Sequence, residues 1–346
     1  MPVETRETPQ SADAILQERK KRIFTLRTLL LLALSLSLAW FLIRQVDVSR
    51  AMETVRNADL LLIAACVCTY FVSTFFKMLR NRTMLGDLGI PLFDLFAITS
   101  YHSFLNQIMP ARTGELTFVY YLKKIGKGEI SRGLHVLVVT RIFDFIVISA
   151  FFICSIIIYF GRNTSIVLVA LGAAFFAASV VGLFNLKWIV IWSGKLLHLL
   201  YARTPLGRSD LAGKVIDKID VVVGEFSSFR TGRYAPQLAF TSILTWTALY
   251  FLFYLSIRSL GIEIGFVQSV AGSTGGVLTN VLPINSFGSF GTLEAGWTGG
   301  FVLVGMNEHD AIVTGFAYHL ISFLASALVA GFCAAVRAIA TRLPGR

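Results

Sequence analysis

The chain has 346 residues, of which 55% are hydrophobic and 15% charged, and its mean hydropathy is +0.71. This excludes an ordinary soluble domain and indicates a chain that crosses a membrane several times. The net charge of +11 suits cytoplasmic loops beside anionic headgroups, since no nucleic-acid motif accompanies it and no aromatic residues lie along a basic strand.

Residues 1–22 form a polar tail ending in Arg19-Lys20-Lys21-Arg22. The apolar run 24–43 that follows is too long for the core of a signal peptide and has no Ala-x-Ala exit, so it reads as an uncleaved first span. Further spans are predicted at 59–79, 134–160, 165–185, 236–257 and 309–336. Segments 92–122 and 264–306 are apolar but interrupted by Pro, Gly and charge. The expected architecture is all-α: about six transmembrane helices and two re-entrant hairpins that cross nothing net. The basic clusters Arg19–Arg27, Lys77/Arg80/Arg82, Lys123–Arg132, Lys187–Arg233 and Arg337–Arg346 then share the cytoplasmic side with both termini. In the loop 186–235, Leu211, Val215, Ile219, Val222 and Phe226 recur at helical spacing, which predicts an amphipathic surface helix. The four cysteines all fall in apolar runs, and Cys66-x-Cys68 lacks metal-site spacing, so membrane-embedded thiols are expected.

The order span, span, broken hairpin, span occurs twice, within 23–162 and 163–340. The first half begins inside and the second outside, so the two hairpins enter from opposite faces. That is the layout of an inverted repeat. The first hairpin reads "NQIMPARTGE" (Asn106–Glu115) and the second "NVLPINSFGSFGTLE" (Asn280–Glu294). Asn106 and Asn280 each precede a proline, Pro110 or Pro283, that ends the inbound half-helix. Gly114, Gly288 and Gly291 supply the turns, and Thr-x-Glu (Thr113 to Glu115, Thr292 to Glu294) starts the outbound half with Thr as the expected N-cap. Arg141 follows Glu115 by 26 residues and His319 follows Glu294 by 25, each inside the next span. Irregular backbone at membrane depth is tolerated inside protein or along a watery cavity. A polar cavity near the midplane is therefore expected.

The stretches "MPARTGELTFVYYLKK", "VTRIFDFIVI" and "LPINSFGSFGTLEAGW" resemble, in order and spacing, the flippase-like transmembrane region of lysylphosphatidylglycerol synthases. The resemblance covers roughly residues 20–340 and implies a lipid-transport role without the soluble synthase domain. Two departures stand out: Gly288-Ser289-Phe290-Gly291 replaces the more usual Gly-Gly-Leu-Gly turn, and His319 replaces an Arg.

Candidate substrate-binding residues are Arg112, Glu115, Arg141, Asp144, Asn280, Glu294 and His319. Arg141 and Asp144 lie at i,i+3 and can pair, either lining a pathway or clamping the bundle. Arg112 can hold a lipid phosphate or snorkel to the surface. His102 reads as a packing residue, Lys77 as an interface anchor, and the "AGSTGG" run 271–276 as a site of close helix packing. The leading expectation is a translocator for an anionic phospholipid, an aminoacylated lipid or a polyprenyl-phosphate-linked glycolipid in the cytoplasmic membrane. The alternatives are an intramembrane transferase using a lipid-phosphate substrate, or a small-ion or solute transporter of the same architecture. No catalytic residue, metal or other cofactor is expected. The expected partners are membrane lipids and not nucleic acid, and homo-oligomerisation stays open.

Overall fold

The structure is a computed structural model that describes residues 47–86, 88–109, 113–124, 129–203, 231–281 and 289–342, with isolated positions between 37 and 44 and between 221 and 224. The expected first span 24–43 lies mostly outside the described residues, as does most of the amphipathic stretch 211–226. Pro110, Arg112, Pro283 and Gly288 also lie outside them. Among the described residues the chain is helical and contains no strand.

A short helix α1 (Val48–Arg56) precedes α2 (Leu60–Leu85). Asp59 starts α2 by accepting the backbone N–H groups of Leu61 and Leu62 at 2.8 and 3.2 Å, and Gly86, at φ +64°, ends it. Next come α3 (Leu92–Ile108), α4 (Glu115–Lys124), α5 (Ile130–Phe160) and α6 (Ile166–Arg203). The second half holds α7 (Thr231–Arg258), α8 (Phe266–Val281), α9 (Thr292–Leu303) and α10 (Glu308–Arg342). Five of these, α2, α5, α6, α7 and α10, are long and apolar enough to cross a membrane. The chain is a multi-pass membrane protein.

The sequence reading ends the fourth span at 185, but α6 runs on unbroken to Arg203 because 186–203 contains no proline. Its 38 residues make about 57 Å of helix against a hydrocarbon core of about 30 Å. α6 packs mainly on α5 and exposes nearly all of its surface, whereas more than half of the apolar window of α7 is buried.

Helices α2 and α7 run antiparallel through the centre. Asp59 N–H donates to the Ser259 carbonyl at 2.7 Å, and Arg80 donates to Ser242 at 2.9 Å. The interrupted segments are helical hairpins. In the first, Gly114 abuts the backbone of Asn106, the His102 ring meets Phe118 at 5.8 Å, and Tyr101 meets Tyr121 at 5.4 Å, so α4 doubles back along α3. In the second, Gly272, Gly275 and Gly276 face Gly296, Trp297, Gly300 and Phe301. A Cβ on Gly275 or Gly300 would overlap the opposing backbone, which is the close packing expected of 271–276. The arms are short: 17 and 10 residues in one hairpin, 16 and 12 in the other. At about 1.5 Å per residue none exceeds about 26 Å.

The hairpins open toward opposite ends of the bundle. α3 lies antiparallel to the last turns of α10, with Ser326 donating to Gln107 at 3.3 Å, Cys333 Sγ 3.8 Å from Ser100, and Arg337 paired to Asp94 at 2.9 Å. At the other end, Tyr159 and Gln268 both donate to the Val304 carbonyl, at 2.7 and 2.9 Å, where α5 stops and α10 begins. The end holding α3 and α4 also holds Arg82, Lys123, Lys124, Arg132 and Arg337, and is here called the basic end.

Replacing Gly275 by Leu forces α8 from α9 and should destabilise the protein by about 3 kcal/mol or more. A clearly lowered thermal midpoint in detergent is the expected result. Gly331→Leu, where an added Cβ meets nothing within 4 Å, should leave that midpoint unchanged.

Candidate functional site

Where the two hairpins meet α2, α5, α7 and α10 there is a cavity of about 200 Å³. Its wall is polar in the middle of an apolar bundle, and its charged lining comes from Lys77, Arg80, Arg141 and Asp144. Asp144 is the hub. Its Oδ1 accepts from Arg80 Nη1 at 2.5 Å and from Trp246 Nε1 at 2.8 Å, while Oδ2 lies 3.4 Å from Arg80 Nη2. Both ends of the pair are buried. A buried carboxylate is tolerated when its lone pairs are filled by a forked guanidinium and a further donor.

The expected i,i+3 pair is present but is not the closest contact of either side chain: Arg141 Nη1 stands 3.9 Å from Asp144 Oδ2, while Arg141 Nη2 meets Glu115 Oε1 at 2.5 Å. Three residues along a helix bring two side chains near each other, but Arg80, arriving from a neighbouring helix, reaches Asp144 with its fork in plane. The expected placement of Lys77 and Arg80 is corrected. They face the cavity and not the membrane surface, so of their cluster only Arg82 remains at the basic end. Among the described residues the Lys77 ammonium has no carboxylate within 4 Å; its one contact is the Tyr70 ring, 5.8 Å from Nζ to the centroid.

The second hairpin repeats the first contact. His319 Nδ1 lies 2.6 Å from Glu294 Oε1, and Glu294 Oε2 accepts the Gly291 N–H at 2.7 Å. Thus Glu115 meets Arg141 and Glu294 meets His319: in each half the first turn of the outbound half-helix is tied to the following span. The settings differ. The Arg141 and Glu115 side chains are 28% and 26% exposed, those of His319 and Glu294 4% and 0%. The cap also differs from expectation: Gly291, at φ +81°, is the N-cap of α9, and Thr292 is its first helical residue. The Glu294 side chain reaches back to the Gly291 N–H and does the capping instead of the Thr hydroxyl, which donates to the Ser289 carbonyl.

Ser289 takes φ +58°, a left-handed conformation that glycine adopts without strain, at a position where the resemblance in the sequence leads one to expect Gly. The ring of Phe290, in the same turn, stacks on His319 at 4.2 Å and 25°. The two departures from the expected pattern therefore touch. His102 also lines the cavity, with Nδ1 3.3 Å from the Gly114 carbonyl, and Asn106 lines it beside the first turn. Asn280 closes α8, and its side chain lies outside the described residues. Among the described residues no group of three or more His, Cys, Asp or Glu is gathered where a metal could bind.

Sequence reasoning missed Lys77, Arg80, Ser242 and Trp246. The signal for the first two was present: Tyr70, Ser73, Thr74, Lys77, Arg80 and Asn81 form a polar stripe at helical spacing within an apolar span, and such a stripe faces protein and not lipid. Ser242 and Trp246 lie in a span with no such charged marker.

A family model described as the lysylphosphatidylglycerol synthase TM region matches residues 28–330. No curated protein and no solved structure matches the chain.

The Arg80 to Asp144 pair sets a stability test. Arg80→Met leaves Asp144 buried without its main partner and should cost about 3–5 kcal/mol. Arg80→Met with Asp144→Leu removes both charges and should recover most of the thermal midpoint. A double variant no more stable than the single would show that the charges do not act as a pair.

Proposed function

The chain belongs to the lysylphosphatidylglycerol synthase TM-region family, and from that premise we propose that it translocates a lipid with a monoanionic phosphate headgroup across the cytoplasmic membrane. The observation that carries this reading is the polar cavity between two half-length hairpins directed from opposite ends of the bundle. Helices too short to span re-enter the membrane on the side they leave, and their tips meet near the midplane, as in inverted-repeat transporters. A headgroup in the cavity keeps its charge out of hydrocarbon while its chains remain in the bilayer. Rocking of one repeat against the other exposes the cavity to each side in turn.

Charge supports a monoanion. Arg80 is paired directly with Asp144 and Arg141 with Glu115, whereas Lys77, among the described residues, has no carboxylate within 4 Å and is placed to take a phosphodiester oxygen. A headgroup with net positive charge suits this set less well. The basic end is the cytoplasmic end by the distribution of Lys and Arg.

Lys77→Met should fold normally, because it breaks no ion pair among the described residues. Loss of one charge-assisted hydrogen bond, about 1.5–3 kcal/mol, should reduce transport of fluorescent phosphatidylglycerol in proteoliposomes by about tenfold to hundredfold. Parental rates in this variant would remove Lys77 from the headgroup site, and absence of any transport by the parent protein would overturn the translocator reading.

Topology has its own test. Lys123→Cys and Arg132→Cys should react with a membrane-impermeant maleimide only after the cytoplasmic face is opened. Labelling on intact cells would invert the orientation.

A further inference from the structure

Resting on the translocator reading, we propose that Glu294 and His319 form a proton-binding site, and that the proton it takes up creates the positive charge the lipid anion needs. The geometry is that of a relay. His319 lines the cavity, Glu294 does not, and the imidazole stands between the buried carboxylate and the cavity. Glu294 is fixed from behind by the Gly291 N–H and accepts from His319 Nδ1 in front. That leaves the Nε2 lone pair as the free proton acceptor; among the described residues no side chain or backbone group bonds it. A proton from cavity water adds to Nε2 and forms an imidazolium, which keeps its Nδ1–H on Glu294. The Phe290 ring stacks on the imidazole at 4.2 Å and covers one of its faces.

The charges in and behind the cavity wall give this proton its effect. Lys77, Arg80 and Arg141 are positive; Asp144, Glu115 and Glu294 are negative. With His319 neutral, these described groups balance. With His319 protonated, the site carries one positive charge, which matches one phosphodiester. Other titratable groups lie in or beside the same space: Tyr70 on α2, His102 on α3 and Tyr318 on α10 line it, and Cys66 on α2 neighbours Tyr318. The lining from α8 (Ser273, Gly276 and Val277) adds none. The thiol and phenols are neutral near pH 7. His102 meets a backbone carbonyl and not a carboxylate, so it lacks the partner that would hold a proton there.

By linkage, the proton favours the anion and the anion favours the proton by the same factor. Affinity for the lipid is therefore greatest with the site protonated and is lost as pH rises through its midpoint, by about tenfold per pH unit if only the protonated form binds. One proton moving with one monoanion is electroneutral, so a pH gradient drives lipid movement and a voltage does not.

The test uses full-length protein in phosphatidylcholine vesicles containing fluorescent phosphatidylglycerol, with a pH dye inside. Lipid movement should follow an imposed pH gradient, ignore an imposed voltage, and shift internal pH by about one proton per lipid. His319→Arg fixes the site at one positive charge; Glu294→Gln gives it that charge while His319 is neutral, and Gln retains an acceptor for the Gly291 N–H. Both should move lipid without requiring a proton, and His319→Arg with a flat pH profile. Lipid movement by the parent that ignores the gradient overturns the proton site and leaves the translocator reading standing. If no lipid moves, the translocator reading falls, and a binding measurement decides the proton site alone. In weakly buffered detergent, uptake of about one proton per short-chain phosphatidylglycerol bound supports it, and uptake of none overturns it.

Discussion

The polar groups that converge from α2, α5 and α7 on the cavity are arranged around one buried carboxylate. Asp144 is buried beside a small cavity, and a lone charge there would cost several kcal/mol. The fork of Arg80 from α2 and the indole of Trp246 from α7 remove that cost, so three helices converge on two oxygen atoms. Two of these helices belong to the first repeat and one to the second, so Trp246 and Ser242, bonded to Asp144 and Arg80, tie the pair to the second repeat. Arg141, 3.9 Å from Asp144, makes its short contact with Glu115, and Lys77 faces the cavity with no carboxylate within 4 Å among the described residues.

The repeats share a device and use it under different conditions. In each, an acidic residue in the first turn of the outbound half-helix anchors that helix to the span that follows. In the first half the anchor is a guanidinium, always charged, in a pair open to the cavity. In the second it is an imidazole in a sealed pair, whose charge depends on a proton. One geometric motif thus supplies a constant electrostatic wall on one side and a variable one on the other.

Mechanically the hairpins also differ. α8 and α9 meet through opposed glycines with backbones in contact, so that hairpin is suited to move as one body. α3 is held against α10 by side chains, among them a hydrogen bond, a weak thiol contact, an ion pair and the rings of Phe104 and Phe323 at 5.7 Å. The polar contacts exchange for water at modest cost, whereas a glycine-packed interface has no comparable alternative. Rocking between repeats would therefore part α3 from α10 more readily than α8 from α9.

The sequence by itself determined the class of protein, the positions of most of the described spans and the repeated spacing of Glu115 to Arg141 and of Glu294 to His319. These depend on local apolar length and on a spacing repeated in two halves, and both can be read along one dimension. It also exposed, in the stripe from Tyr70 to Asn81, a face that had to point inward. Tertiary structure alone decided which cation takes Asp144, because Arg80 is 64 positions away and reaches it only once α2 and α5 are packed. The same holds for Trp246, and for the stacking of Phe290 on His319. Charge at helical spacing gives a list of candidates for a buried pair; the partner is chosen by which side chains arrive from other helices with their donors aimed at the same atoms.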